Sequence, residues 1–135
     1  MSNMLYNKAR ELFLTGGIDW MNDTFKVQLV DTGNYTVSAA HQFLSDIPAN
    51  ARIHDPTTLS GKTATDGAAD ATDTLFTAVA AGTSIEAIVI YRESGAEGSN
   101  HLIAYIDTAT GLPITPNGGD IIITWDNGVN KIFRV

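Results

Sequence analysis

In 135 residues the chain carries fifteen acids against eight bases, a formal charge of −7. That balance excludes the basic face that displaces counterions from nucleic-acid phosphates, and the bases are too scattered for a polybasic membrane patch. Without a cysteine there are no disulfides, thiolate nucleophiles or cysteine metal sites. The hydrophobic fraction, 44%, is ordinary, whereas the charged fraction, 17%, is below the usual quarter or so, so Thr, Ser, Asn, Gly and Ala must cover much of the surface. The length fits one domain, 1–135, with one sizeable core.

The opening stretch SNMLYNKARELFLT (2–15) reads as a helix. Ser2 is placed to cap it, Leu5, Ala9, Leu12 and Phe13 form one apolar face, and Gly16-Gly17 supply a left-handed stop. It lacks the apolar run of a signal peptide, and no stretch approaches the roughly 20 apolar residues that span a bilayer, so the expectation is a soluble chain made in the cytoplasm.

TFKVQLVD (24–31) alternates as a half-buried strand, Phe25, Val27 and Leu29 inward, Lys26 and Gln28 outward. After a turn at TGNY, residues 36–47 read as a second, short helix capped by Ser38, with Ala39, Phe43, Leu44 and Ile47 inward and Pro48 as breaker. The small, polar region that follows predicts strands near 51–54, 58–65 and 74–79, with turns at Asp55-Pro56 and Asp66-Gly67. SIEAIVIYRE (84–93) is a strand apolar on both faces around Ile88–Ile90, and HLIAYID (101–107) is its partner across a loop.

DIIITWD (120–126) and VNKIFRV flank Asn127-Gly128, a strong hairpin signal. A two-residue turn there would pair Trp125 with Asn130, Ile123 with Ile132, Ile122 with Phe133 and Ile121 with Arg134. Trp125, Ile123, Ile132 and Ile121 then share one face. Ile122, Phe133, Val129 and Val135 share the other, diluted by Thr124 and Lys131. The first face belongs to the core. The second is too apolar to stay wet, and covering three such side chains is worth on the order of 5 kcal/mol before entropy losses. Either the N-terminal helix or another subunit covers it. Short strands with turns every eight to twelve residues predict a mainly β protein, a jelly-roll-like antiparallel β-sandwich, with the N-terminal α-helix and one further short helix.

Chemistry is sparse. His41, His54 and His101 lie in separate segments without metal-ligand spacing and read as ordinary surface or hydrogen-bonded histidines. Asp66, Asp70 and Asp73 lack the alternating acids and closing Glu of a calcium loop and read as solvated turn acids, a weak divalent site being the alternative. Glu86, Glu93 and Asp107 are the candidates for a glycosidase-type carboxylate pair, a pattern any acidic chain supplies. No serine sits in a nucleophile elbow, and TGGID and PNGGD fall short of a phosphate loop. Trp20 and Trp125 have a sugar-stacking reading beside the commoner core or interface reading. The expectation is no enzyme, no cofactor and no metal.

The segments LYNKARELFLTGGIDW, FKVQLVD, FLSDIP, LIAYID and GLPITPNGGDIIITWDNGVNKIF resemble a family of small virion proteins of tailed bacteriophages, several of them capsid cement or decoration proteins. The resemblance spans most of the chain and is weakest over 49–82. It implies a jelly-roll-like sandwich on the outside of an icosahedral head, stabilising the shell by protein contacts, with no active-site residues. The implied partners are the phage major capsid protein and copies of the chain itself, as a homodimer or homotrimer. The best candidate mating residues are Leu5 and Phe13 of the helix, Trp20, and Ile122, Phe133 and Val135 of the closing hairpin. The alternatives are a tail or neck component and, from another class, a carbohydrate-binding β-sandwich presenting Trp20, Trp125 or tyrosines. A small hydrolase ranks last.

Overall fold

The fold is organised around one strand whose first five residues are all buried. Ala87 to Tyr91 are all buried, so this strand has no wet face, and antiparallel strands flank it on both sides. The computed structural model describes residues 4–95, 98–107, 112–125 and 132–134. In chain order the elements are β1 (Met4–Leu5), α1 (Asn7–Thr15), β2 (Phe25–Val30), β3 (Arg52–Thr58), β4 (Ala68–Ala69), β5 (Thr74–Phe76), β6 (Ala87–Arg92), β7 (Leu102–Ile106), β8 (Ile121–Ile123) and β9 (Phe133–Arg134). Short 3-10 turns occupy Leu44–Asp46, Ala49–Ala51 and Thr65–Gly67.

The chain is mainly β and antiparallel, as its patterning predicts, with one α-helix among the described residues. Five strands form a sheet in the order β1-β7-β6-β2-β3, while β4-β9 and β5-β8 form two-stranded ladders. The register places Phe25, Val27, Leu29, Ile88, Ile90, Ala104, Ile106 and Leu5 on one sheet face, and Gln28, Val30, Ala87, Val89, Tyr91 and Tyr105 on the other. All of these side chains are buried. β2 is therefore covered on both faces rather than half-buried: Gln28 is only 3% exposed, and Lys26 is half-buried and paired with Glu93. One continuous apolar cluster takes in the sheet, Tyr6 and Ala9 at the N-terminus, and Phe76, Ile121, Ile123, Trp125 and Ile132.

Both edges of the sheet are modified. Along β7, Met4 and Leu5 pair with Tyr105 and Ala104, the Tyr6 amide donates to the Ile103 carbonyl, and Phe43 bridges His101. This is why the helix begins at Asn7 and not near Ser2. Met4 and Leu5 satisfy an edge strand whose unpaired groups would otherwise lie open, and such pairing outweighs helix propensity. Tyr6, extended and fully buried, takes the cap position. The expected stop holds: Gly16 is left-handed and its amide returns to the Leu12 carbonyl.

The expected helix over 36–47 is absent. Ser38 instead nucleates a turn, accepting from the Ala40 amide through Oγ while its carbonyl accepts from the His41 amide. The Asp46 carboxylate accepts from the Gln42 and Phe43 amides and leaves only a 3-10 turn at Leu44–Asp46. Side chains that satisfy nearby amides offer the backbone an alternative to the helical ladder.

Along β3, Val27 pairs with Thr57 and Leu29 with Ile53, so Gln28 faces three residues, His54, Asp55 and Pro56. Asp55-Pro56 is thus a bulge inside a strand and not the expected turn between strands. His54 enters it with φ of 65°, and the buried Gln28 amide closes it by donating to the carbonyls of Ile53 (2.9 Å), His54 (3.0 Å) and Leu29 (3.2 Å). The remaining small strands also shift: pairing occurs at 68–69 and 74–76, while Asp66-Gly67 does turn the chain, both residues having positive φ.

The described ends of the closing segment pair with other strands. β8 pairs with β5, Leu75 opposite Ile122, and β9 pairs with β4, Ala69 opposite Phe133. Ile121–Ile123 and Phe133–Arg134 are thus joined to other strands and not to each other in the expected register. The Asn127-Gly128 turn, Val129 and Val135 lie outside the described residues. The expected core face is correct, since Ile121, Ile123, Trp125 and Ile132 are all buried.

Replacing Gln28 by leucine keeps the volume but strips donors from the bulge carbonyls. The expected loss is about 2–3 kcal/mol of stability, read as a lower urea midpoint at unchanged slope.

Candidate functional site

The indoles and phenols lie inside. Trp20 and Trp125 are 6% and 4% exposed, and all four tyrosines are buried. Trp20 packs on Phe25 with ring centroids 4.8 Å apart and donates from its indole to the Thr63 carbonyl; Trp125 donates to the Thr72 carbonyl. The Lys62 ammonium lies 4.9 Å from the Phe25 ring centre and bonds the Asp23 carbonyl, holding the 17–24 turn against the sheet. A sugar platform built on Trp20, Trp125 or tyrosine rings is therefore not present; these indoles and phenols belong to the core.

The histidines stay apart, each with a structural environment. His41 shares a hydrogen bond between Nδ1 and the Tyr35 hydroxyl (2.8 Å), which in turn bonds the Tyr6 hydroxyl (2.9 Å). Burial pushes both phenols above their ordinary range. His54 approaches the edge of Phe76. His101 packs on Phe43 at 4.9 Å with its Nδ1 buried and unpartnered. Burial first, then the charges of Arg92 and Lys8, hold its pKa below the ordinary histidine value.

The acids act mainly as backbone acceptors. Asp73 accepts from the Trp125 amide, Asp31 from Gly33, Asp120 from Ala78, and Glu93 from Gly95. Asp19 accepts from Met21 and Asn22, and its hydrogen bonds, that from the Asn22 side chain foremost, lower its pKa. The amides of Phe43 and Gln42 do the same for Asp46. Asp66, Asp70 and Asp73 do not converge, and among the described residues no group of three or more His, Asp or Glu is arranged to hold a metal ion. Of the three candidate carboxylates, Glu86 and Asp107 line one open depression, while Glu93 lies in its ion pair with Lys26.

Of the six expected mating residues, Leu5 and Trp20 are buried within the chain's own core, a correction that follows from their pairing to β7 and Phe25. Phe13 is half-buried against the core. Ile122 is 56% exposed. The Phe133 side chain and Val135 lie outside the described residues. The structure adds a neighbour that sequence reasoning missed. Leu75, directly across the ladder from Ile122, is 44% exposed, so two large aliphatic side chains stand together on the outward face of β5-β8. The signal was present in the alternation of Thr74, Leu75 and Phe76, where only Leu75 points away from the core. Leu14 and Met21 are the other large exposed apolar side chains among the described residues. No helix among the described residues is long and apolar enough to cross a membrane.

Comparison with known proteins finds no match: no family model fits the chain, and no curated protein is similar to it.

His101 gives the fold a pH dependence. A histidine with a depressed folded pKa adds stability that is complete above its unfolded value, about 6.5, and is lost as pH falls through the lower folded value. The denaturation midpoint should fall from pH 7 to pH 5.5, and His101→Phe, which keeps the ring against Phe43, should flatten that slope.

Proposed function

We propose that this chain is a virion structural protein of a tailed bacteriophage, a cement or decoration protein that binds the head shell from outside and stabilises it through protein contacts. The observation that carries the reading is the exposed Leu75–Ile122 pair, aliphatic surface on a ladder that also reaches the core through Phe76, Ile121 and Ile123. Isolated exposed leucines are ordinary, but a registered cross-strand pair places two aliphatic side chains together on one face before any docking. The resemblance of LYNKARELFLTGGIDW and the later segments to phage virion proteins supports the same class. In this reading the five-stranded sheet and the ladders are layers of a jelly-roll-like sandwich, and the working unit is a homodimer or homotrimer on the major capsid protein. Each contact needs only modest strength, because a multimer spanning several shell subunits gains effective concentration.

Microscopy of the intact particle tests this directly. Density for the chain on the head lattice is the expected result; density only at the tail or neck replaces the cement reading with that one, and absence from the particle removes both. Leu75→Asp and Ile122→Asp should leave the fold intact, since both side chains are exposed. Each should weaken attachment to heads by about tenfold or more, the loss expected when an aliphatic contact of about 1.5 kcal/mol or more is replaced by a charge. Heads that retain either variant at full occupancy would sink the assignment of this pair.

A further inference from the structure

Residues 38–47 lie as a strap across the start of β7. Two backbone hydrogen bonds tie the strap to the strand: the Leu102 amide donates to the Gln42 carbonyl and the Leu44 amide to the Asn100 carbonyl, both at 2.9 Å. A third, from the Asn7 amide to the Ala39 carbonyl at 2.9 Å, ties it to the start of α1. Within the strap, the Asp46 carboxylate accepts from the Gln42 and Phe43 amides and holds the turn in shape.

His101 sits where strap and strand meet. Its backbone bridges Phe43, its ring lies 4.9 Å from the Phe43 ring centre, and its Nδ1 is buried with no hydrogen-bond partner among the described residues. A neutral imidazole can hold Nδ1 as a bare acceptor. An imidazolium puts a proton there, and a buried charged donor without an acceptor costs the full desolvation of that group. The charged groups on the surrounding elements do not offset this cost. Arg92 on β6 and Lys8 on α1 are both cationic and act against a charged ring. The acids on the same elements are engaged elsewhere: Asp46 with the strap amides, Glu93 with the Gly95 amide and Lys26, and Glu11 with Lys8. His41, the other histidine of the strap, already shares its Nδ1 with the Tyr35 hydroxyl.

We propose that His101 is an acid-sensitive latch, whose protonation releases the 38–47 strap from the start of β7 while the rest of the sheet stays folded. The opening is local because the strap is joined to the strand by two backbone bonds and one ring contact, whereas β6 is paired along both sides. Burial first, then Arg92 and Lys8, hold the folded pKa below the ordinary histidine value. The latch is therefore closed at pH 7 and opens as pH falls through that lower value. Release uncovers the Leu102 amide and the Asn100 carbonyl, a stretch of sheet edge that pairing otherwise closes.

The test is amide hydrogen exchange of the full chain by NMR at pH 7 and pH 5, with protection corrected for the intrinsic effect of pH on exchange. Protection of the Leu44 and Leu102 amides should fall about fivefold or more, relative to those of Ile88 and Ile90, the scale set by one buried donor left unmet. The midpoint of that loss should coincide with the titration of the His101 ring signal. His101→Phe, which keeps the ring against Phe43, should remove the pH dependence, and His41→Gln should leave it. Unchanged protection, an equal loss at Ile88 and Ile90, or a midpoint that follows the His41 signal would overturn the latch. So would a pH dependence that survives in His101→Phe.

Discussion

The structure depends on burying both faces of one antiparallel sheet. β6 supplies five consecutive buried residues, and its neighbours β2 and β7 present buried side chains to both sides. A sheet covered this way cannot leave either edge as an unmanaged row of donors and acceptors. Met4, Leu5, Tyr6, Gln42 and Phe43 close the β7 edge with backbone hydrogen bonds. On the far side, β3 carries a bulge with Pro56 and a left-handed His54, and the Gln28 amide holds it together from beneath. One edge is thus paired and the other made irregular.

The same economy governs charge. An excess of seven acids in a small chain would normally repel itself. Much of that excess is spent locally, with Asp19, Asp31, Asp46, Asp73, Glu93 and Asp120 each accepting from backbone amides in loops and turns. These carboxylates act in place of the regular secondary structure that the long polar stretches lack. Glu86 belongs to both descriptions, since it anchors Thr32 and Ser84 and also lines the depression beside Tyr105 and Asp107. The exposed Leu75–Ile122 pair and this acidic depression are two surfaces of different chemistry, one apolar and one anionic.

Apolar periodicity identified the strands around 25–30, 87–92 and 102–106, because alternation and unbroken apolar runs report burial directly. Gly16 was legible as a helix stop for the same local reason, a positive φ that glycine tolerates. Where the local signal and the tertiary need diverged, the tertiary need prevailed. Met4 and Leu5 have helix-compatible spacing yet serve as an edge strand. Residues 36–47 have helical apolar spacing yet bend around Ser38 and Asp46 to seal the start of β7.

The sequence by itself determined the class of protein: mainly β, acidic, cysteine-free, with Ile121, Ile123, Trp125 and Ile132 destined for a core. These follow from composition and from side-chain periodicity, which act over a few residues. Only the tertiary structure decided that Trp20 and Leu5 are interior, that β8 pairs with β5 and so sets Leu75 beside Ile122, and that Glu86, Asp107 and Tyr105 meet at one depression. Those outcomes depend on which strands pair across tens of residues of chain, and the free energy of that choice resides in the assembled sheet rather than in any one segment.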